Sequence, residues 1–284
     1  MMQLHGLFLE PIIAEALKED WGHGDFSSDY AVEKKKMARA RIIAKEPLVL
    51  AGIHVAEAVF TKVDPALVVI AEKSDGSEVA PSEVVLFIEG NARSILKAER
   101  VALNFLGRLS GIAKLAKEYV KELEGSRTQL LDTRKTTPGL RRLEKLAAQI
   151  GGARNHRFGL SDGVMLKENH IRAAGGITVA MERLKRRIPM TLKIEVETTN
   201  LDEVREALSA GADIIMLDNM SIEMMREAVA IVGGKAQLEA SGNIRIDTVK
   251  KVAATGVDFV STSGFITGAR WADFSLLFDT KSMP

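Results

Sequence analysis

Thr191–Asn219 reads TLKIEVETTNLDEVREALSAGADIIMLDN. A β-prone run, TLKIEVE, is followed by LDEVREALSAGA, whose apolar residues recur at the helical period before a glycine stop, and then by a second β-prone run, DIIMLDN. An amphipathic helix ending on glycine between two short strands is the form of a crossover in a parallel sheet. The same texture extends in both directions. TQLLDT and GVMLK stand upstream, AQLEAS and DFVSTSG downstream, and SIEMMREAVAIVGG and IRIDTVKKVAATGV separate the later runs. This alternation predicts βαβ units around a parallel sheet.

Each apolar run ends, at its carboxyl end, in polar or charged groups: Arg134 and Lys135, Lys167, Glu197, Asp218, Glu239 and Ser241, and Ser263. Parallel α/β architectures, barrels above all, bind ligands at that end of the sheet. One polar strand end is ordinary loop chemistry; six converging on one mouth describe a site. Before Gly175 the mouth is basic, with Arg134, Lys135, Arg157 and Lys167, and with Arg141 and Arg154 near in sequence; after it the mouth is acidic, with Glu197 and Asp218. Guanidinium forks grip carboxylates and phosphates, and lysine acts as a point charge for diphosphate oxygens. Two carboxylates on neighbouring strands suit a magnesium ion held partly by substrate oxygens, or sugar hydroxyls. The pattern points to a sugar diphosphate and a second anionic reactant. The turns EASGN and STSG offer Ser241, Gly242, Ser263 and Gly264 as a backbone N–H cradle for phosphate, although turn chemistry alone also produces such pairs.

The first hundred residues read differently. A helical pattern runs from Pro11 to Glu19, DWGHGDFSSD is a turn cluster, and ARARIIAKEPLVLAG and EVVLFIEG look like strands. Ser94–Leu123 is helical, with Gly107 and Gly111 as expected interruptions and Gly125 as a stop. The fold class is therefore α/β: an N-terminal α+β sandwich domain over residues 1–110, then an open (incomplete) α/β barrel over 111–270, with 271–284 expected to pack back on the first domain. The 39 basic and 38 acidic side chains leave a net charge of +1, which excludes a general field for nucleic acid or an anionic membrane, so any anion site is built locally. With no cysteine, disulfides, thiolate zinc sites and a cysteine nucleophile are excluded, and a reducing cytoplasm is the expected location. No leader pattern or spanning apolar stretch stands out, which predicts a soluble protein.

ERVALNFLGRLSGIA, LDTRKTTPGLRRLEK, GGARNHRFGLSDGVMLKENH, KIEVE, IMLDN, EASGNI and GVDFVSTSG follow one another in the order and spacing typical of quinolinate phosphoribosyltransferase, also called carboxylating nicotinate-nucleotide diphosphorylase; EDWGHGDFSSD resembles the N-terminal motif of that family. The resemblance covers nearly the whole chain. It implies a pentosyltransferase of de novo NAD biosynthesis that joins quinolinate to phosphoribosyl pyrophosphate with magnesium, releasing diphosphate and carbon dioxide and leaving nicotinate mononucleotide. Arg134, His156, Arg157 and Lys167 match positions lining the quinolinate pocket, Lys167 also lying near the diphosphate. Lys135 matches a lysine on the phosphoribosyl pyrophosphate side. Glu197 and Asp218 match the acidic pair near the ribose hydroxyls and magnesium, held directly or through water, and Ser241, Gly242 and Gly264 match phosphate-contacting turns, with Ser263 beside them. Arg100 matches an arginine supplied by the other subunit, which implies a homodimer or larger homo-oligomer. One departure stands out: where many members continue Gly-Ala-Leu-Thr-His, this chain has Gly264, Phe265, Ile266, Thr267 and Gly268. The alternatives are a phosphoribosyltransferase for a ring acid such as nicotinate, a paralogue associated with molybdenum transport, or a phosphate-metabolite binding module without turnover.

Overall fold

The computed structural model describes residues 6–279. The chain opens with helices α1 (Gly6–Trp21) and α2 (Phe26–Ala31), then β1 (Met37–Ala44), β2 (Leu48–Val49), α3 (Ile53–Val63), β3 (Val68–Ala71), β4 (Glu78–Val79) and β5 (Val84–Asn91), and enters the long helix α4 (Ala92–Glu122). Strands and helices then alternate: β6 (Gln129–Leu131), α5 (Arg141–Ile150), β7 (Val164–Leu166), α6 (Glu168–Ala174), α7 (Ile177–Lys185), β8 (Ile194–Thr198), α8 (Leu201–Ser209), β9 (Ile214–Asp218), α9 (Ile222–Val232), β10 (Gln237–Ser241), α10 (Ile246–Ala253), β11 (Phe259–Ser261), α11 (Gly264–Thr267) and β12 (Phe274–Phe278). They form two compact units. One comprises the chain up to Lys117, Thr137–Gly151 and the chain from Ala269 on; the other comprises Glu118–Thr136 and Gly152–Gly268. The segment carrying α5 thus groups with the first unit rather than with the barrel strands around it.

The first unit holds an antiparallel sheet in the order β12-β1-β5-β3. Its inner face follows the pleat: Ala38, Ala40, Ile42 and Ala44 of β1 are buried while Met37 and Arg39 are exposed. The last strand, β12, pairs with β1, Ile42 opposite Leu276, so this part of the C-terminal segment returns to the first unit's sheet; residues 280–284 lie outside the described residues. Two local expectations change. The DWGHGDFSSD turn cluster contains α2, because the Asp25 carboxylate caps it by accepting from Ser28 N at 3.0 Å. Helix α4 is not interrupted at Gly107 or Gly111. A Cβ on Gly107 would stand 2.9 Å from Ala272 O, and one on Gly111 2.0 Å from Arg270 O, so these glycines admit a crossing backbone against the helix, and Ala272 N donates to Gly107 O. Close approach, rather than helix breaking, is what glycine provides here.

All six predicted barrel strands form, in one parallel sheet ordered β6-β11-β10-β9-β8-β7 and open between β6 and β7. Alternation along the strands separates two faces. Ile194, Val196, Ile215, Leu217, Leu238, Ala240 and Val260 take one face and are buried. The other face carries Met165 and Lys167, Glu195 and Glu197, Met216 and Asp218, Glu239 and Ser241, and Ser261, with Glu197 registered opposite Met216 and Ser241 opposite Asp218. Helix ends follow local chemistry: Asn200 and Ser221 cap α8 and α9 by accepting from Glu203 N and Met224 N.

Candidate active site

Residues at the carboxyl ends of these strands enclose a cavity of about 510 Å³ within the second unit. Arg134 and Lys135 follow β6, His156 and Arg157 precede β7, Lys167 follows β7, Glu197 and Asp218 sit at the ends of β8 and β9, and Ser241 ends β10 with Gly242 and Asn243 just after it. The cavity therefore gathers ten of the residues singled out in the sequence, Glu239 among them. Five others lie elsewhere. Ser263 and Gly264 follow β11 without lining the cavity, and Arg100 is exposed on α4 in the first unit. Arg141 opens α5, and Arg154 reaches toward the start of β6, its Nη1 donating to Gln129 Oε1 at 3.1 Å.

The NHR segment is held by β6. Arg154 N donates to Leu130 O and Asp132 N to Arg154 O, a parallel bridge that sets the chain alongside the strand. The fully buried Asp132 then accepts from His156 N at 2.8 Å and from Asn155 Nδ2 at 2.7 Å. Arg157 Nη1 donates to Gly163 O at 2.9 Å. Burial lowers the proton affinity of the Arg157 guanidinium, and the neighbouring charge of Arg134 lowers it further. Two like charges set side by side in a cleft form a receptor for an anion, whose arrival removes their repulsion.

On the opposite wall Lys167 Nζ donates to Glu197 Oε2 at 2.6 Å, the lysine side chain half-exposed and the carboxylate mostly buried. Asp218 accepts from Asn219 Nδ2 at 2.9 Å, and Asn219 Oδ1 accepts from Asn243 Nδ2 at 3.0 Å. Both asparagines have left-handed backbones, φ 54° and 52°, and Gly242 between the two turns has φ 93°. A Cβ on Gly242 would lie 2.3 Å from Asn219 Oδ1, so glycine is required on both counts.

Beneath the basic wall lies a group that the strand-end reading did not assemble. His156 Nε2 is 3.1 Å from Glu195 Oε2 and 3.4 Å from Glu239 Oε2, and the two glutamates are buried on the inner face of β8 and β10. Burial works against charge on the imidazole, but the hydrogen bonds and charges of the two carboxylates outweigh it and push its pKa up to about 10. The Glu195 carboxyl is raised by burial and by the adjacent Glu239, with His156 opposing. Arg157 N–H points at His156 Nδ1 from 2.6 Å and favours a bare nitrogen there; Nε2 keeps its hydrogen in either charge state. The sequence signal for Glu195 was present in KIEVE, where it shares a face with Glu197 two residues on.

The N-terminal-domain model of quinolinate phosphoribosyl transferase matches residues 25–110 and the C-terminal-domain model matches 112–277. The chain belongs to the quinolinate phosphoribosyl transferase family. It is 44% identical over 273 residues to a probable nicotinate-nucleotide pyrophosphorylase (carboxylating) of Synechocystis sp., covering 95% of this chain and 92% of that one. It is 42% identical to the chloroplastic nicotinate-nucleotide pyrophosphorylase (carboxylating) of Oryza sativa, covering 96% and 78%. Among solved structures, the nicotinate-nucleotide pyrophosphorylase of Francisella tularensis superposes with a TM-score of 0.93 at 39% identity, covering 98% of both chains. Two domains, the second built on a parallel sheet, are thus the family architecture. Among the described residues no helix is long and apolar enough to cross a membrane.

Proposed function

We propose that the chain transfers phosphoribosyl from phosphoribosyl pyrophosphate to quinolinate with decarboxylation, giving nicotinate mononucleotide, diphosphate and carbon dioxide in de novo NAD biosynthesis. The observation that carries this reading is one cavity in which Arg134, Lys135, Arg157 and Lys167, from three separate segments, stand with Glu197 and Asp218. Quinolinate brings two carboxylates and its partner a phosphate and a diphosphate, so a cationic hollow meets both. Arg134 and Arg157 bind the ring acid through paired charge-assisted bonds. Lys135 and Lys167 offset charge growing on the departing diphosphate, while Glu197 and Asp218 face the electron-poor ribose as the pyridine nitrogen attacks its anomeric carbon. No protein nucleophile is needed. Alkylation turns the ring into a pyridinium that accepts the electron pair left when the adjacent carboxylate departs as carbon dioxide.

Glu197 and Asp218 are hard oxygen donors on adjacent strands, a sparse set that fits magnesium, which keeps waters and substrate phosphates as further ligands. They would hold it directly or through water, and bound magnesium supplies neutralisation of the diphosphate. We also place the enzyme in the cytoplasm, as a homodimer to which exposed Arg100 contributes across the interface. Mixing inactive Arg100→Ala and Lys167→Ala chains should regenerate activity if subunits share sites; failure to do so in a demonstrated heterodimer rejects the shared arginine. The activity itself is tested by incubating the protein with quinolinate, phosphoribosyl pyrophosphate and magnesium and following nicotinate mononucleotide and carbon dioxide. Turnover of nicotinate in place of quinolinate would favour the monocarboxylate alternative.

A further inference from the structure

We propose that Glu195 and Glu239 are positioning residues for the acid-binding half of the cavity: together they seat the ring of His156, and through it the backbone of Arg157, for a dicarboxylate. This deepens the quinolinate reading and rests on it. The two glutamates come from β8 and β10, with β9 between them, and each is nearly inaccessible, 3% and 1% exposed. Their Oε2 atoms converge on one nitrogen, while each Oε1 is buried without a hydrogen-bond partner among the described residues. Burying two carboxylates against each other costs several kcal/mol per ion, and apolar residues of similar size usually give a more stable interior. Stability therefore does not account for the pair.

The geometry around the imidazole does. Nε2 donates toward both carboxylates, and Nδ1 faces the Arg157 N–H at 2.6 Å. The His156 N–H is held separately by Asp132. With both ring nitrogens engaged, a ring flip would turn a carbon toward the carboxylates and lose every contact, so the ring has one orientation. Its neighbour Arg157 is then fixed at the backbone by the ring and at the guanidinium by Gly163 O. The three donor atoms lie within 4.8 Å of one another, a spacing that a cation would also bridge; a hydrogen on Nε2 closes the cluster without one.

The test compares Glu239→Leu, which removes the acceptor, with Glu239→Gln, which keeps one. For Glu239→Leu we expect the quinolinate KM to rise by about tenfold or more with the phosphoribosyl pyrophosphate KM within about twofold, and for Glu239→Gln we expect most of that loss to be recovered. Equal rises in both KM values together with a lowered Tm would mark a merely structural role, and an unchanged quinolinate KM in the Leu variant would end the proposal. If that variant does not fold, imidazole ¹⁵N spectra of the wild-type enzyme decide: hydrogen on His156 Nε2 across pH 6 to 8, about the working range of histidine, is expected, and a bare Nε2 overturns the assignment. A stoichiometric metal in the purified enzyme, lost in Glu239→Gln, would overturn it as well. Because the spectra need no turnover, a wild-type enzyme inactive on quinolinate would reject the functional reading while leaving the seat of His156 separately measurable.

Discussion

The two ends of the six-stranded sheet both carry charges and use them differently. At the amino ends lies the larger hollow, about 710 Å³, lined by Arg127, Lys193, Asp213, Lys235 and Asp258 among others. There the acids serve the backbone: Asp213 accepts from Ile194 N at 2.7 Å and Asp258 from Leu238 N at 2.8 Å. Two of the cations are matched as well, Lys193 to Gln237 Oε1 and Arg127 to Gly256 O. At the carboxyl ends the smaller cavity sets Arg134 beside Arg157 and places two buried glutamates around one histidine. Charges that complete strand starts stabilise the sheet; charges crowded against their own kind are arranged for something that binds. Size ranks these hollows in the opposite order from chemistry.

The largest effect is expected at Arg157. Arg157→Ala removes charge-assisted bonds worth roughly 1.5 to 3 kcal/mol each, so the quinolinate KM should rise by about 100-fold, with thermal unfolding little changed; steady-state kinetics beside a melting curve checks both. Normal quinolinate kinetics would remove Arg157 from the acid pocket. Gly242→Ala comes next. The added Cβ meets Asn219 Oδ1 at 2.3 Å in a left-handed turn, and the displaced turn should raise the phosphoribosyl pyrophosphate KM by about tenfold, with about 1 to 3 kcal/mol of strain lowering stability.

A third experiment reads the buried cluster by pH. The His156 pKa rises from 6.5 to about 10 on folding, so its contribution to stability is complete below about 6.5 and is lost as pH climbs toward 10. Glu195, also raised, acts in the same direction from its own lower range. Urea midpoints of wild type and His156→Gln should therefore differ most at the acidic end of this window and converge toward the alkaline end; a gap that widens with pH refutes the sign. The smallest effect belongs to the other end of the sheet. Asp258→Ala should cost about 1 kcal/mol of stability through the lost Leu238 N–H contact and leave both KM values unchanged. An altered KM there would erase the distinction between the two ends.

Much of this was legible in local patterns. TLKIEVE, DIIMLDN and AQLEAS announce strands because β-prone residues occur in short runs between glycine-terminated helical segments, and their polar last residues mark the binding end. Lys167, Glu197, Asp218 and Ser241 are found together in the cavity for that reason. Gly107 and Gly111 illustrate the opposite case: glycine in a helical run reads as a break, and only the backbone crossing at Arg270 and Ala272 explains why α4 continues through them.

Local patterns settle which segments form strands, which residues share a face, and which charges stand at the mouth, since each follows from a period of two or of 3.6 within a few neighbouring residues. Tertiary structure alone decided that Glu195 and Glu239 meet over His156, that Asp132 holds the NHR backbone, and that Ser263 and Gly264 fall outside the cavity's lining. Those relations join residues as many as 83 positions apart, His156 to Glu239. They are set by strand order and register, and no local propensity encodes such a meeting.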